Sequence, residues 1–268
     1  MAIELSSITF TNRADVVPAS GIEQILNTGT ANTLGGKDTI TGVDNDDYSV
    51  AIANFSILDT GDGNDTITGD HSIGSGYGIQ NAFFSSIIDT GKGHDTITGM
   101  GSVGIYNDGT INTGDGNDTI TGIHTEGGGI PITNYLSGII DTGDGNDVIT
   151  ANSLGINNDG TINTGNGNDS IIAGFLSSNL LGKVFLGDGK DYLKGFGSGN
   201  FNGGNGKDTL ELTSGSYVVG ISGTAVNFTG YNYSGISIMN TSEFEKLIAG
   251  STTYEFSSLT NGQTISVA

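Results

Sequence analysis

Seven times in 268 residues the chain spells Gly-x-Gly-x-Asp. The copies are Gly61-Gly63-Asp65, Gly91-Gly93-Asp95, Gly114-Gly116-Asp118, Gly143-Gly145-Asp147, Gly165-Gly167-Asp169, Gly187-Gly189-Asp191 and Gly204-Gly206-Asp208. A degenerate eighth is Leu34-Gly35-Gly36-Lys37-Asp38. Several loops carry a second carboxylate, at Asp62, Asp115, Asp144 and Asp188. If equivalent loops stack, their carboxylates stand about 5 Å apart, the spacing of neighbouring strands. Like charges at that distance repel by roughly 3–4 kcal/mol at an effective dielectric of about 20, and by less where water and salt screen them. Such a row asks to be neutralised. Carboxylates and Gly-rich loop carbonyls are hard oxygen donors, which suits Ca2+ better than zinc or copper. They also suit Ca2+ better than Mg2+, whose rigid octahedron keeps several waters. The competing reading is a turn role, with each Asp bonding its local backbone.

Three apolar columns lie between the loops and must position them. Directly after Asp comes Thr-Ile-Thr or a variant: Thr39-Ile40-Thr41, Thr66-Ile67-Thr68, Thr96-Ile97-Thr98, Thr119-Ile120-Thr121 and Val148-Ile149-Thr150. Ile-x-Asn follows mid-repeat, at Ile52/Asn54, Ile79/Asn81, Ile105/Asn107, Ile132/Asn134 and Ile156/Asn158. The third column, just before each loop, is Leu58, Ile88, Ile111, Ile140, Ile162, Val184 and Phe201. One repeat therefore reads as three short strands separated by turns. The shortest repeat with all three columns, Asp147 to Asp169, takes 22 residues. A unit that small buries its Ile side chains only by stacking on its neighbours, which defines a solenoid. The fold expected is all-β: a parallel β-solenoid of the β-helix or β-roll kind, with a C-terminal β cap. Successive Asp residues are 17 to 30 positions apart. About eight coils rising about 4.8 Å each make a rod of roughly 40 Å. The Asn column should close one edge by amide stacking, as in fibril ladders. The extra residues of long coils, roughly 43–49, 70–78 and 123–131, fall at one corner, where a binding edge is commonly built.

Composition bounds the function. There are 47 Gly, 2 Pro and no Cys, with 29 acidic residues against 8 basic, a formal charge of −21. So few prolines exclude collagen. Such negative charge disfavours nucleic acid. Without Cys there is no disulfide, zinc–thiolate site or Cys nucleophile. No run of 18 apolar residues is present, so no membrane span is expected. The first residues lack a basic n-region and an apolar h-region, so no cleavable secretory signal is expected. The last Asp is Asp208, and this break divides the chain into an N-terminal cap or first strands (1–33), an Asp-loop solenoid (34–208) and a C-terminal cap (209–268). The last part is apolar and aromatic, with Tyr217, Phe228, Tyr231, Tyr233, Phe244, Tyr254 and Phe256.

Over about 34–208 the repeat resembles the RTX, or haemolysin-type, calcium-binding repeat, a β-helix motif. The resemblance implies Ca2+ held between stacked loops by loop carbonyls and by Asp65, Asp95, Asp118, Asp147, Asp169, Asp191 and Asp208, with Asp38 in the degenerate loop. It also implies export without a cleaved N-terminal signal through type I secretion machinery, with the export signal in the C-terminal part. Two departures stand out. The family's first Gly is replaced by Thr60, Thr90, Thr113, Thr142, Thr164 or Leu186, and only Gly203 restores it. The repeat is also longer than the family's, with Asp loops on one edge, which implies one row of ions.

Three smaller features widen the expectations. His71 and His124 share an offset of six residues after their loop Asp, as does Asp44. They are expected as solvated loop residues, the sharper alternative being an Asp44–His71 acid–base pair. His94, inside a loop, should be exposed. The Thr rows suggest a surface that orders water, although they break at Val148 and Ser170-Ile171-Ile172. The function expected is a secreted, calcium-dependent structural or binding module, not an enzyme, whose external partner is a glycan or cell surface. The alternatives are a polysaccharide-acting solenoid enzyme and an ice- or surface-binding protein.

Overall fold

The alternation in Thr-Ile-Thr points β-branched Ile inward and Thr outward, the pattern of a half-buried strand. In the computed structural model, which describes residues 2–18, 23–44, 46–125, 129–152, 155–176, 181–232 and 235–268, these stretches pair in parallel and in register. Ile40, Ile67, Ile97, Ile120, Ile149, Ile171, Leu193, Leu210 and Leu247 form one continuous column along an 11-stranded sheet. A 7-stranded sheet carries the Ile-x-Asn stretches, and a 12-stranded sheet carries the third column. The Ile residues of all three columns are at most 1 % exposed. Each removes a full aliphatic side chain from water, worth roughly 1.5–3 kcal/mol apiece. The chain is therefore an all-β parallel solenoid of about seven turns, against the roughly eight that the loop count predicts.

The rod changes section along its length. The Asn-bearing sheet ends with Ile156–Asn158, whose last neighbour is a single bridge to Leu176. Beyond it the coils have two long sheets instead of three, and Asp191 to Asp208 closes in 17 residues. Parallel pairing also starts before residue 34: Ala2–Glu4 lies on Gln24–Asn27, and Val16–Val17 on Thr39–Val43.

At the other end the pairing turns antiparallel. Gly235–Ser242 docks in parallel on Gly199–Asn202, then pairs antiparallel with Ala225–Asn232, which pairs with Gly215–Ser222. Thr264–Val267 closes the far side. This meander covers the last parallel strands with Tyr217, Phe228 and Phe244, all buried. Tyr231 is exposed, and Tyr233 lies outside the described residues. Among the described residues no helix is long and apolar enough to cross a membrane.

Candidate metal centre

The Gly-x-Gly-x-Asp loops join the third sheet to the Thr-Ile-Thr sheet and form a ladder of their own. Asn166–Gly167, Asp188–Gly189 and Asn205–Gly206 make a short parallel sheet, continued by single bridges from Gly35 through Asp62, Lys92, Asp115 and Asp144 to Asn166. Glycine is required twice per loop. Gly91 has φ +78°, a left-handed conformation open to glycine at little cost. A Cβ at Gly93 would lie 1.3 Å from the carbonyl oxygen of Gly63, so the stacked backbones tolerate no side chain there.

Stacking separates the two sets of carboxylates that the sequence leaves together. Asp38, Asp65, Asp95, Asp118, Asp147, Asp169, Asp191 and Asp208 turn inward and are at most 1 % exposed. Asp62, Asp115, Asp144 and Asp188 turn outward. The outer set is partly neutralised already. Lys92 Nζ lies 2.7 Å from Asp115 Oδ2, while the amides of Asn166 and Asn205 donate to Asp144 and Asp188 at 2.6 and 2.8 Å. A further outer row, passed over in the sequence, pairs Asp59 with Asn32, Asp89 with Asn112 and Asp141 with Asn163.

The inner column is built differently. The backbone N–H of each inner Asp donates to Oδ1 of the Asp one coil further on: Asp38 to Asp65 at 2.8 Å, Asp65 to Asp95 at 2.7 Å, Asp95 to Asp118 at 2.8 Å. The chain of bonds runs on through Asp147, Asp169 and Asp191 to Asp208 at 2.8–2.9 Å. Asp15 N–H starts it, on Asp38, and Glu245 ends it by accepting from Asp208 N–H at 2.7 Å. Sequence reasoning missed both ends, because neither lies in a repeat.

The other carboxylate oxygen has no donor. Oδ2 of Asp65, Asp95, Asp118, Asp147, Asp169, Asp191 and Asp208 is buried and unpartnered in seven consecutive coils. In five of these seven loops a buried Thr (Thr60, Thr90, Thr113, Thr142 or Thr164) stands directly before the first loop Gly, and Leu186 and Gly203 stand there in the other two. Four of these hydroxyls reach the next coil, Thr90 to Thr113 O at 3.3 Å, Thr113 to Thr142 O at 3.3 Å, Thr142 to Thr164 O at 3.2 Å and Thr164 to Leu186 O at 2.7 Å, and, with Thr60, they also pull their own Asp carboxyls downward against the larger effect of burial. At Asp38 the Thr33 hydroxyl bonds both Oδ2 and the Thr60 carbonyl. Burial therefore pushes these carboxyls upward, to about 7 at Asp95 and Asp169 and to about 6 at Asp147, Asp191 and Asp208. Asp65 and Asp118 move the same way for the same reason.

This donor set suits a hard cation in kind: a buried carboxylate oxygen without a partner in seven of the eight loops. It is not a carboxylate cage. The inner and outer Asp rows do not converge, and among the described residues no three His, Asp or Glu side chains group as a metal-binding cluster. The first-Gly carbonyls are engaged between loops, as where Asp115 N–H donates to Gly91 O at 3.0 Å.

The remaining residues singled out in the sequence fall elsewhere. His71 is fully buried, not solvated. Its Nε2 lies 3.0 Å from Ser49 Oγ and 2.9 Å from the carbonyl of Asp46. The Asp44 carboxylate instead accepts from Asp46 N–H, so the Asp44–His71 pair does not form. A close-packed corner shields His71, since a Cβ at Gly76 would meet its ring at 2.4 Å. His124 bonds the Ser102 carbonyl at 2.9 Å through Nδ1, and His94 is exposed, as expected. Of the three variable loops, 43–49 and 123–131 include residues outside those described. The Thr rows are in register from Thr41 through Thr68, Thr98 and Thr121 to Thr150. A cavity of about 620 Å3 near the C-terminal cap is lined by Phe196, Tyr217 and the ion pair of Lys194 with Glu211, 2.8 Å apart.

No known family, no curated protein and no solved structure matches this chain.

Proposed function

We propose that the chain is a calcium-dependent β-solenoid, a secreted structural or binding module rather than an enzyme. The observation that carries the reading is the run of seven buried Oδ2 atoms without a donor. A buried carboxylate without compensation is costly, and seven in one line multiply the cost. Bound Ca2+ would supply the positive charge that offsets them. The chain's own contribution is to hold one oxygen of each Asp on the neighbouring N–H and leave the other free. Binding free energy becomes folding free energy, so in a low-calcium cytosol the rod is only weakly stable and the chain exportable, in keeping with type I secretion, and external calcium stabilises the rod.

Two rival readings have less support. The acid–base pair that would favour a polysaccharide-acting enzyme is not formed, and the Thr rows stop at Ser170 and Ile172, short of the rod's end. The test is a circular-dichroism titration of chelator-stripped protein with Ca2+, with Mg2+ as control. A Ca2+-selective gain of β signal is expected. A β spectrum indifferent to both ions would overturn the reading and leave the Asp column a purely structural ladder.

A further inference from the structure

Along the Asn-bearing sheet, four successive coils each contribute one tyrosine: Tyr77 and Tyr106 within its strands, Tyr48 in the turn before Val50–Asn54, and Tyr135 directly after Ile132–Asn134. Tyr77 and Tyr106 meet edge to face with centroids 5.7 Å apart, and Tyr106 stacks on Tyr135 at 6.1 Å and 28°. Tyr48 and Tyr77 also border a groove of about 240 Å3, completed by Ser75, Gly76, Ser102 and Val103. None of these lining residues is charged.

Tyr48 is the telling member. It is 87 % exposed, so it gains little from burial. Its φ is +64°, a left-handed conformation that a bulky aromatic seldom adopts. A bond from its N–H to the Ser75 carbonyl at 2.5 Å holds it there. Strain kept at an exposed side chain that buries nothing points to use rather than stability. A purely structural ladder would hide its end rings, yet Tyr135 is 44 % exposed as well.

We infer that this stripe is a binding platform for an uncharged polysaccharide chain lying across the coils. Sugar rings present C–H faces that pack on aromatic planes, while phenol and Ser hydroxyls at the edges bond the sugar hydroxyls. The formal charge of −21, with Asp108 beside Tyr106, repels acidic glycans and so selects a neutral one. The platform lies on a different face from the Asp loops and needs only the folded rod.

The test uses the full chain in Ca2+-containing buffer, where the rod is folded under either reading of the Asp column. It is offered insoluble cellulose, chitin and β-1,3-glucan, with alginate as the polyanion control. Retention on at least one neutral polymer but not on alginate is expected. Tyr106→Ala should weaken it roughly tenfold, the loss of about one aromatic contact. Tyr48→Gly separates use from structure: relieving the left-handed strain should raise Tm while retention falls. Failure of all three neutral polymers, a preference for alginate, or undiminished retention by both variants would overturn the inference.

Discussion

Two buried polar ladders run along this rod, one at the Asp-loop corner and one at the Asn corner. They share a coil repeat and a degree of burial, yet the Asn ladder leaves one oxygen unpartnered, Asn27 Oδ1 at its end, where the Asp column leaves seven. From Asn27 to Asn158 each amide donates to the next Oδ1 at 2.7–2.8 Å and to a backbone carbonyl such as Ile87 O or Ile139 O. An amide carries both donors and an acceptor, so identical side chains satisfy one another along the stack. An ionised carboxylate carries acceptors only. Backbone N–H groups supply one donor per Asp, and the second oxygen is left over. The same solenoid geometry thus gives a self-sufficient ladder from Asn and one that needs an added proton or cation from Asp.

Substitutions can break or sharpen that contrast. The largest single-site effect is expected from Asn107→Ala, which strands its partners Asn81 and Asn134 in the interior. Chemical denaturation should show a loss of about 3 kcal/mol, equal at low and at high millimolar calcium. A calcium-dependent loss would mean that the two corners are coupled.

Asp118→Asn should be smaller and should change sign with conditions. In chelator it removes a buried charge and stabilises by about 1 kcal/mol. In calcium it removes a ligand and destabilises. Melting curves with the same sign in both buffers would remove the basis of the comparison.

A third effect is expected from pH, acting on the chelated protein. Inner carboxyls sit near 6 to 7 in the fold against about 3.9 when unfolded. A raised folded value favours the protonated form, so its stability is present at acid pH and is lost as pH rises through 6 to 7. Melts between pH 5 and 8 should therefore show falling Tm in chelator. The Asn ladder has no proton to lose, so the Asn107→Ala penalty should not follow pH.

Much of this was legible in the residues. The three apolar columns, the Asn column and the register of the loops all appear in the linear pattern, because a solenoid coil touches mainly its immediate neighbours and repeats their sequence. The Thr at the head of most loops was visible as a departure from the repeat that the chain resembles. Its role was hidden, since nothing in a spacing says that a hydroxyl will bond the next coil's carbonyl. His71 misled for a similar reason: its offset matched a surface loop, but the chain folds back through Ser49 and Gly76 to enclose it.

What the sequence alone determined is the periodic part: an all-β parallel stack, its core residues and the Asp loops on one edge. Each follows from alternation and repetition, which local sterics and nearest-neighbour burial enforce. The tertiary structure decided which Asp of each loop turns inward and which of its oxygens lacks a donor. It also decided that Glu245, 37 residues beyond Asp208, ends the ladder. Tyr77, Tyr106 and Tyr135, which fall 12, 11 and 17 residues after their loop Asp, meet on one face for the same reason. These outcomes depend on how insertions of different length close each coil against the next, and no fixed period in the chain encodes that closure.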